Sequence, residues 1–269
     1  MTVDEATRNA LRQVAHALAD VARPATLAYF RASGLVAEDK GTGRFDPVTK
    51  ADRAAETAMR EVLAKLRPQD AVLGEEYGPT GGSSGLTWVL DPIDGTRGYI
   101  SGTPTWGVLI AVSDAGGPLY GIIDQPYIGE RFSGGFGEAV VTGPMGETPL
   151  SVAAPRPLSE ATILTTFPEV GTPDEGRAFH AVASSCRLTR YGMDCYGYAL
   201  LAAGQVDLVI EAGLQSYDIQ APIAVIEAAG GIVTNWDGGP AKDGGRVIAA
   251  ANPAIHAEAI AILRGSIEG

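Results

Sequence analysis

The 269-residue sequence predicts a mixed fold in two joined parts: helices on an antiparallel sheet over residues 1–145, then alternating strands and helices over residues 146–269. Three observations carry this prediction. Two amphipathic helical patterns stand near the start of the chain, a series of short β-rich runs joined by glycines follows, and around residue 145 strand-like and helix-like segments begin to alternate. With 45% hydrophobic residues, the chain can bury the core of one large domain or of two intimately joined smaller ones.

Taken in order, MTVDEATRNALRQVAHALADVA mixes charges among its apolar residues as an amphipathic helix does and a cleavable signal does not. A polar loop, GTGRFDPVTKAD, leads to the helical pattern ADRAAETAMREVLAKL, with Thr49 placed to cap it. AVLGEE reads as a short strand ending in two glutamates, YGPTGGSSGL as a flexible loop, and TWVL as the next strand. WGVLIAV, PLYGIIDQP, ERFSGGF and EAVVTG read as strands of an antiparallel sheet. In the second part ATILTT, RLTRYG, VDLVIEAG and GGIVTNW read as strands, and EGRAFHAVASS, CYGYALLAAG and IQAPIAVIEAAG as helices. RVIAAANPAIHAEAIAIL closes the chain as strand then helix, with Asn252 as N-cap and Pro253 at the first helical position.

A formal charge of −12 without a run of lysines or arginines argues against a nucleic-acid partner. No segment has the roughly 18 consecutive apolar residues of a membrane span, and a cytoplasmic location is expected. The two cysteines, Cys186 and Cys195, fit neither a redox pair nor a zinc knuckle, and the three histidines are scattered without metal-ligand spacing.

The chemistry concentrates in WVLDPIDGTRGY, residues 88–99. Asp91 and Asp94 follow an apolar run, where burying a carboxylate costs several kcal/mol unless a cation or many donors meet it. The alternative is an Asx-type turn, for which Asp-Pro and Asp-Gly are ordinary dipeptides. Other carboxylates recur at strand or loop ends: Asp46 with Asp52, Glu75 with Glu76, and Glu211 with Asp218. Most follow apolar strands, whose carboxyl ends hold the sites of α/β folds. An all-oxygen set specifies a hard cation, magnesium before calcium or zinc. Gly95 allows close backbone approach, and a helix or turn beginning at Thr96 would offer free amides to an anion. Carboxylate-held Mg2+ beside an anion cradle equips phosphoryl transfer to water.

Together DPVTKAD, GEEYG, DPIDGT and YDIQAP resemble the signature of the inositol monophosphatase family of Mg2+-dependent, lithium-sensitive phosphatases, in order over nearly the whole chain. The resemblance implies a five-layer αβαβα sandwich, a homodimer, a small phosphomonoester as substrate, and two or three Mg2+ ions per site. It assigns the metals to Glu75, Asp91, the Ile93 carbonyl, Asp94 and Asp218, the alignment of the attacking water to Asp52 and Thr96, and the phosphate to the Gly95 and Thr96 amides. The last motif departs from the family pattern: Tyr217 replaces tryptophan, and Gln220 stands where a small residue is usual. DGTRGY, GIIDQPYIGERF and RYGMDCYGYALLAAGQVDLVIEAGL further resemble the histidinol-phosphate phosphatases of this family. Asp194 and Glu211 would then be substrate carboxylates, suited to the ammonium and imidazole of histidinol. Two alternatives stand beside this reading: Asp194 as the cap of the helix CYGYALLAAG, and a phosphatase for inositol or another sugar phosphate. A metal- and phosphate-binding protein with weak turnover is the non-enzymatic rival.

Four other features read as structural. GGSSG satisfies the GxSxG pattern without the preceding strand of a nucleophile elbow. Arg190 reads as exposed, Trp88, Trp106 and Trp236 as packing residues, and His180 as half-buried.

Overall fold

The computed structural model describes residues 4–33, 37–39 and 47–268, so Asp46 and most of the polar loop before it lie outside the described residues. Helix α1 (Glu5–Leu27) starts at Asp4, whose side chain accepts from the Thr7 amide, and buries Leu11, Val14, Leu18 and Ala22 along one face. A two-stranded ladder, β1 (Glu38–Asp39) with β2 (Pro47–Val48), leads to α2 (Lys50–Leu66). Thr49 and Asp52 start α2 as a reciprocal capping box.

The first large sheet contains β3 (Ala71–Gly74), β4 (Gly78–Thr80), β5 (Thr87–Asp94), β6 (Gly107–Asp114), β7 (Gly117–Gln125), β8 (Glu130–Gly135), β9 (Glu138–Gly143) and β10 (Gly146–Pro149), with α3 (Thr96–Ser101) between β5 and β6. Its order is β10-β9-β8-β7-β6-β5-β3-β4, antiparallel except where β3 lies parallel to β5. YGPTGGSSGL is therefore not a free loop. Gly78–Thr80 pairs with β3, the Ser83 and Ser84 amides donate to the Gln69 carbonyl, and a Cβ at Gly82 would come within 2.3 Å of the Ala71 nitrogen. Backbone bonds fasten a segment whose side chains carry no strand signal.

The second sheet follows a 3-10 turn at Leu158–Glu160. Its elements are β11 (Thr162–Thr165), α4 (Pro173–Ser184), β12 (Leu188–Tyr191), α5 (Asp194–Ala202), β13 (Leu208–Leu214), α6 (Ser216–Ala228), β14 (Ile232–Asn235), β15 (Gly245–Ala250) and α7 (Pro253–Glu268). The order is β12-β11-β13-β15-β14. The first three strands are parallel, but β15 runs antiparallel to both its neighbours, because no helix separates β14 from β15 to reverse the chain. Asn252 caps α7, accepting from the amides of Ala254 and Ile255.

Strand alternation builds the layers. On β6, Val108, Ile110 and Val112 face a core shared with α1 and α2, whereas Leu109 and Ala111 face one shared with α5 and α6. On β13, Val209 joins the α5–α6 core, and Leu208 and Ile210 turn to the core under α4 and α7. The result is an αβαβα sandwich with α5 and α6 in the middle layer. Two glycines let α6 lie almost directly on the first sheet. A Cβ at Gly121 would stand 2.5 Å from the Ala221 carbonyl oxygen, and one at Gly134 would stand 2.6 Å from the Val225 Cα.

Trp88 and Trp236 are buried in these cores, and Trp106 in a smaller cluster with Phe30, Ile93 and Tyr99. His180 is exposed, not half-buried, because its position on α4 faces solvent, and its Nε2 donates to the Pro168 carbonyl at 3.0 Å. Among the described residues no helix is long and apolar enough to cross a membrane.

Candidate active site

The DPIDGT segment breaks the edge-to-edge regularity of β5 against β6. Asp91 pairs with Leu109 and Asp94 with Gly107, and the register shifts between them, where Pro92 has no amide to give the ladder. Asp91 Oδ1 accepts the Ile93 amide at 3.0 Å. The Asx turn and the site are thus the same feature: the turn holds Asp91 while its carboxylate faces a cavity. Gly95, at φ 83°, turns the chain into α3, and the Thr96 hydroxyl donates to the Ile93 carbonyl at 3.1 Å.

From the other half, the start of α6 presents Asp218, whose Oδ2 accepts the Gln215 amide at 2.6 Å. Asp91, Asp94 and Asp218 bring carboxylate oxygens within 4.8 Å of one another. Asp91 is 2% exposed, and burial first, then the charges of Glu75, Asp94 and Asp218, holds its carboxyl well above the usual range. Burial, Asp218 and Asp194 push Asp94 the same way, against an opposing hydrogen bond from the Cys195 amide to Asp94 Oδ2 at 2.6 Å. Acids so crowded fit a multivalent cation, and the donors are all hard oxygens.

The cavity, about 500 Å³, opens where the two halves meet. The first half supplies Glu75, Asp91, Ile93, Asp94, Gly95 and Thr96, and the second supplies Asp194, Tyr198, Glu211 and Asp218. Asp52 is not on its wall. It is 1% exposed at the start of α2, where Oδ2 accepts from the amide and hydroxyl of Thr49 at 2.8 and 2.6 Å and buried Oδ1 has no hydrogen-bond partner. Burial raises its pKa to about 6, with Glu76 and Glu75 adding and the Thr49 bonds opposing. Asp52 and Thr96 are not hydrogen-bonded to each other in this structure; each is held by its own neighbour.

Asp194 is the first residue of α5 at φ 46°, and the N-cap position belongs to Met193. The Asp194 side chain instead accepts from the Thr105 hydroxyl at 2.9 Å. The capping alternative is therefore not realised. Its carboxylate packs on two glycines, such that a Cβ at Gly95 would approach Asp194 Cγ to 2.6 Å and one at Gly98 would approach Oδ2 to 2.9 Å. Burial raises its pKa, opposed by the Thr105 bond and the charge of Arg97. Glu211, 8% exposed in the middle of β13, accepts from the Thr165 hydroxyl at 3.0 Å and the Thr166 amide at 2.6 Å. Burial nevertheless raises its pKa to about 7, with Asp194 adding.

Gln220 points away from the cavity, bonding the Ser113 hydroxyl and the Lys242 carbonyl, so it leaves Asp218 undisturbed. Arg190 is exposed on β12. The arginine acting on Asp194 is Arg97, stacked over the Phe167 ring at 4.9 Å. Its signal was its place directly after DGT. Glu56 was also missed: buried on α2, it accepts the Glu76 amide at 2.7 Å and Arg60 Nε at 2.7 Å, which fixes the turn after β3 that carries Glu75. Gly74 makes room for it, since a Cβ there would fall 1.9 Å from Glu56 Oε1.

Over residues 8–268 the sequence matches the inositol monophosphatase family model. It is 42% identical over 228 residues to the bifunctional phosphatase IMPL2, chloroplastic, of Arabidopsis thaliana, a match covering 84% of this chain and 64% of that relative. It is 36% identical to a histidinol-phosphatase of Streptomyces coelicolor, covering 93% of this chain and 96% of the relative. A solved inositol monophosphatase from Zymomonas mobilis superposes with a TM-score of 0.84 at 37% identity, over 97% of this chain and all of that one.

Proposed function

The chain belongs to the inositol monophosphatase family and is a metal-dependent phosphatase, and from that premise we propose that it hydrolyses L-histidinol phosphate to L-histidinol and inorganic phosphate, with Mg2+ as the metal. One observation carries the choice of substrate. Asp194 and Glu211 line the same cavity as Asp91, Asp94 and Asp218 but stand outside that group of converging acids. Histidinol brings an ammonium and an imidazole to such a pair, whereas inositol has no cation to offer. The Streptomyces relative, a histidinol-phosphatase, supports the reading, and the Zymomonas structure, an inositol monophosphatase, keeps inositol phosphate as the rival.

Glu75, Asp91, Asp94, Asp218 and the Ile93 carbonyl would hold two or three Mg2+ ions. When bound, the ions supply Lewis acidity to the phosphate oxygens and positive charge against the surrounding acids. The residues divide the remaining work. The Gly95 and Thr96 amides, at the start of α3, face the phosphate. The Thr96 hydroxyl donates its hydrogen bond to the Ile93 carbonyl, so its oxygen is left to accept from the attacking water, and Asp52, whose buried Oδ1 is an open acceptor, is assigned with Thr96 to the alignment of that water. Water adds to phosphorus as the ester P–O bond breaks, one of its protons reaches the departing oxygen by way of solvent, and the alcohol leaves on the side of Asp194 and Glu211.

A phosphate-release assay at saturating Mg2+ should compare histidinol phosphate, inositol 1-phosphate, fructose 1,6-bisphosphate and 3′-phosphoadenosine 5′-phosphate. The highest kcat/KM is expected for histidinol phosphate. A preference for the inositol ester would replace the substrate while leaving the phosphatase in place.

A further inference from the structure

Helix α5 carries a second cavity-facing side chain one turn beyond Asp194. Residues four apart share a helix face, and Tyr198 lines the cavity together with Asp194. Tyr198 is 4% exposed, and its buried hydroxyl has no hydrogen-bond partner. That is unusual for a buried tyrosine, because an unmet donor loses its bonds to water without replacement. The acids around it are engaged elsewhere: Glu211 by Thr165 and Thr166, and Asp94 by the Cys195 amide. Burial, ahead of the charges of Glu211, Asp94 and Asp218, keeps the phenol well above its ordinary pKa, so it presents an intact O–H. Tyr198 shares the cavity wall with Glu211, assigned to the substrate cation, and with Asp94 and Asp218, assigned to the metals that meet the phosphate. The part of the substrate that joins its cation to its phosphate is the alcohol.

We propose that the Tyr198 hydroxyl is a substrate contact that hydrogen-bonds a polar atom of the departing alcohol and thereby selects among phosphomonoesters. The inference rests on the phosphatase reading of this cavity but not on histidinol as the alcohol.

Tyr198→Phe removes the oxygen and keeps the ring, and two measurements on the Mg2+-loaded enzyme decide the matter. Because the hydroxyl has no partner in the free protein, the substrate-free Tm should stay unchanged or rise. A lower Tm would reveal a structural bond and overturn the proposal. In turnover, kcat/KM for histidinol phosphate should fall about tenfold, and that for 4-nitrophenyl phosphate, whose alcohol has no polar atom near the ester, should stay within about twofold. Should wild type prefer inositol 1-phosphate, that ester takes the place of histidinol phosphate, so failure of the substrate reading leaves this test standing. Equal loss on both esters would move the hydroxyl to the phosphate or the ester oxygen, and no loss on either would remove it from the substrate; each result refutes the assignment.

Discussion

Asp194→Asn isolates charge from shape at the residue on which substrate choice depends. Asparagine keeps an oxygen to accept from Thr105, a bond of 2.9 Å in the wild type, and tolerates the φ of 46°. Alanine would add roughly 1 kcal/mol of backbone strain felt by every substrate. A hydrogen bond to a charged group contributes about 1.5–3 kcal/mol, or about 10- to 150-fold in kcat/KM. Here Thr105 already occupies one oxygen and the Arg97 charge offsets part of the carboxylate, so the expected loss on histidinol phosphate lies toward the lower end, about 10- to 30-fold. Inositol 1-phosphate and 4-nitrophenyl phosphate should lose less than about twofold, having no cation to present. Initial rates at saturating Mg2+ over a range of each substrate give the ratios, and a thermal melt checks folding. Because Met193, not Asp194, stands at the N-cap and the bond from Thr105 is kept, Tm should move little. A uniform loss across all three esters would refute the role in recognition.

Asp91→Asn removes a charge from the centre of the acid group and should lower turnover about a thousandfold or more, with added Mg2+ failing to restore it; near wild-type rates would take Asp91 out of the mechanism. Thr96→Val deletes the hydroxyl bonded to Ile93 and should reduce kcat by roughly a hundredfold, whereas a rise in KM at constant kcat would make Thr96 a phosphate contact only. Glu211 has its pKa raised from 4.5 to about 7 in the fold, so the folded state binds more protons between those values. Its contribution to stability is therefore fully present below pH 4.5, declines as pH rises toward 7 and is flat above, a change of up to about 3 kcal/mol. In EDTA, Glu211→Gln should remove that part of the pH slope of Tm; an unchanged slope would show that Glu211 ionises normally.

The sequence is most informative where function and local geometry coincide. DPIDGT contains its own turn, its own αL glycine and two of the three converging acids, so a few residues specify the site. Asp218 is legible for a similar reason, since the motif that places it also starts α6. Tyr198 and Phe167 are legible only once α5 and the loop after β11 face one cavity, because an aromatic residue in an apolar segment looks like core. Glu56 resembles one more charge on an amphipathic helix until Gly74 is seen to open a space for it. Strand β4 and the antiparallel β14–β15 pair depend on backbone pairing, which residue type records weakly.

The bare contacts at Gly121 and Gly134 act as shims of zero thickness between α6 and the first sheet. The acid that α6 presents is consequently gauged from the strands that carry the opposing acids, not from the sheet of its own half. The two halves cannot drift apart at the site without peeling α6 from the first sheet. A single methyl group at either glycine, remote from the cavity floor, would jack up the helix and detune the spacing between Asp218 and Asp91. Loss of activity in such a variant would originate in a wall that touches neither metal nor substrate.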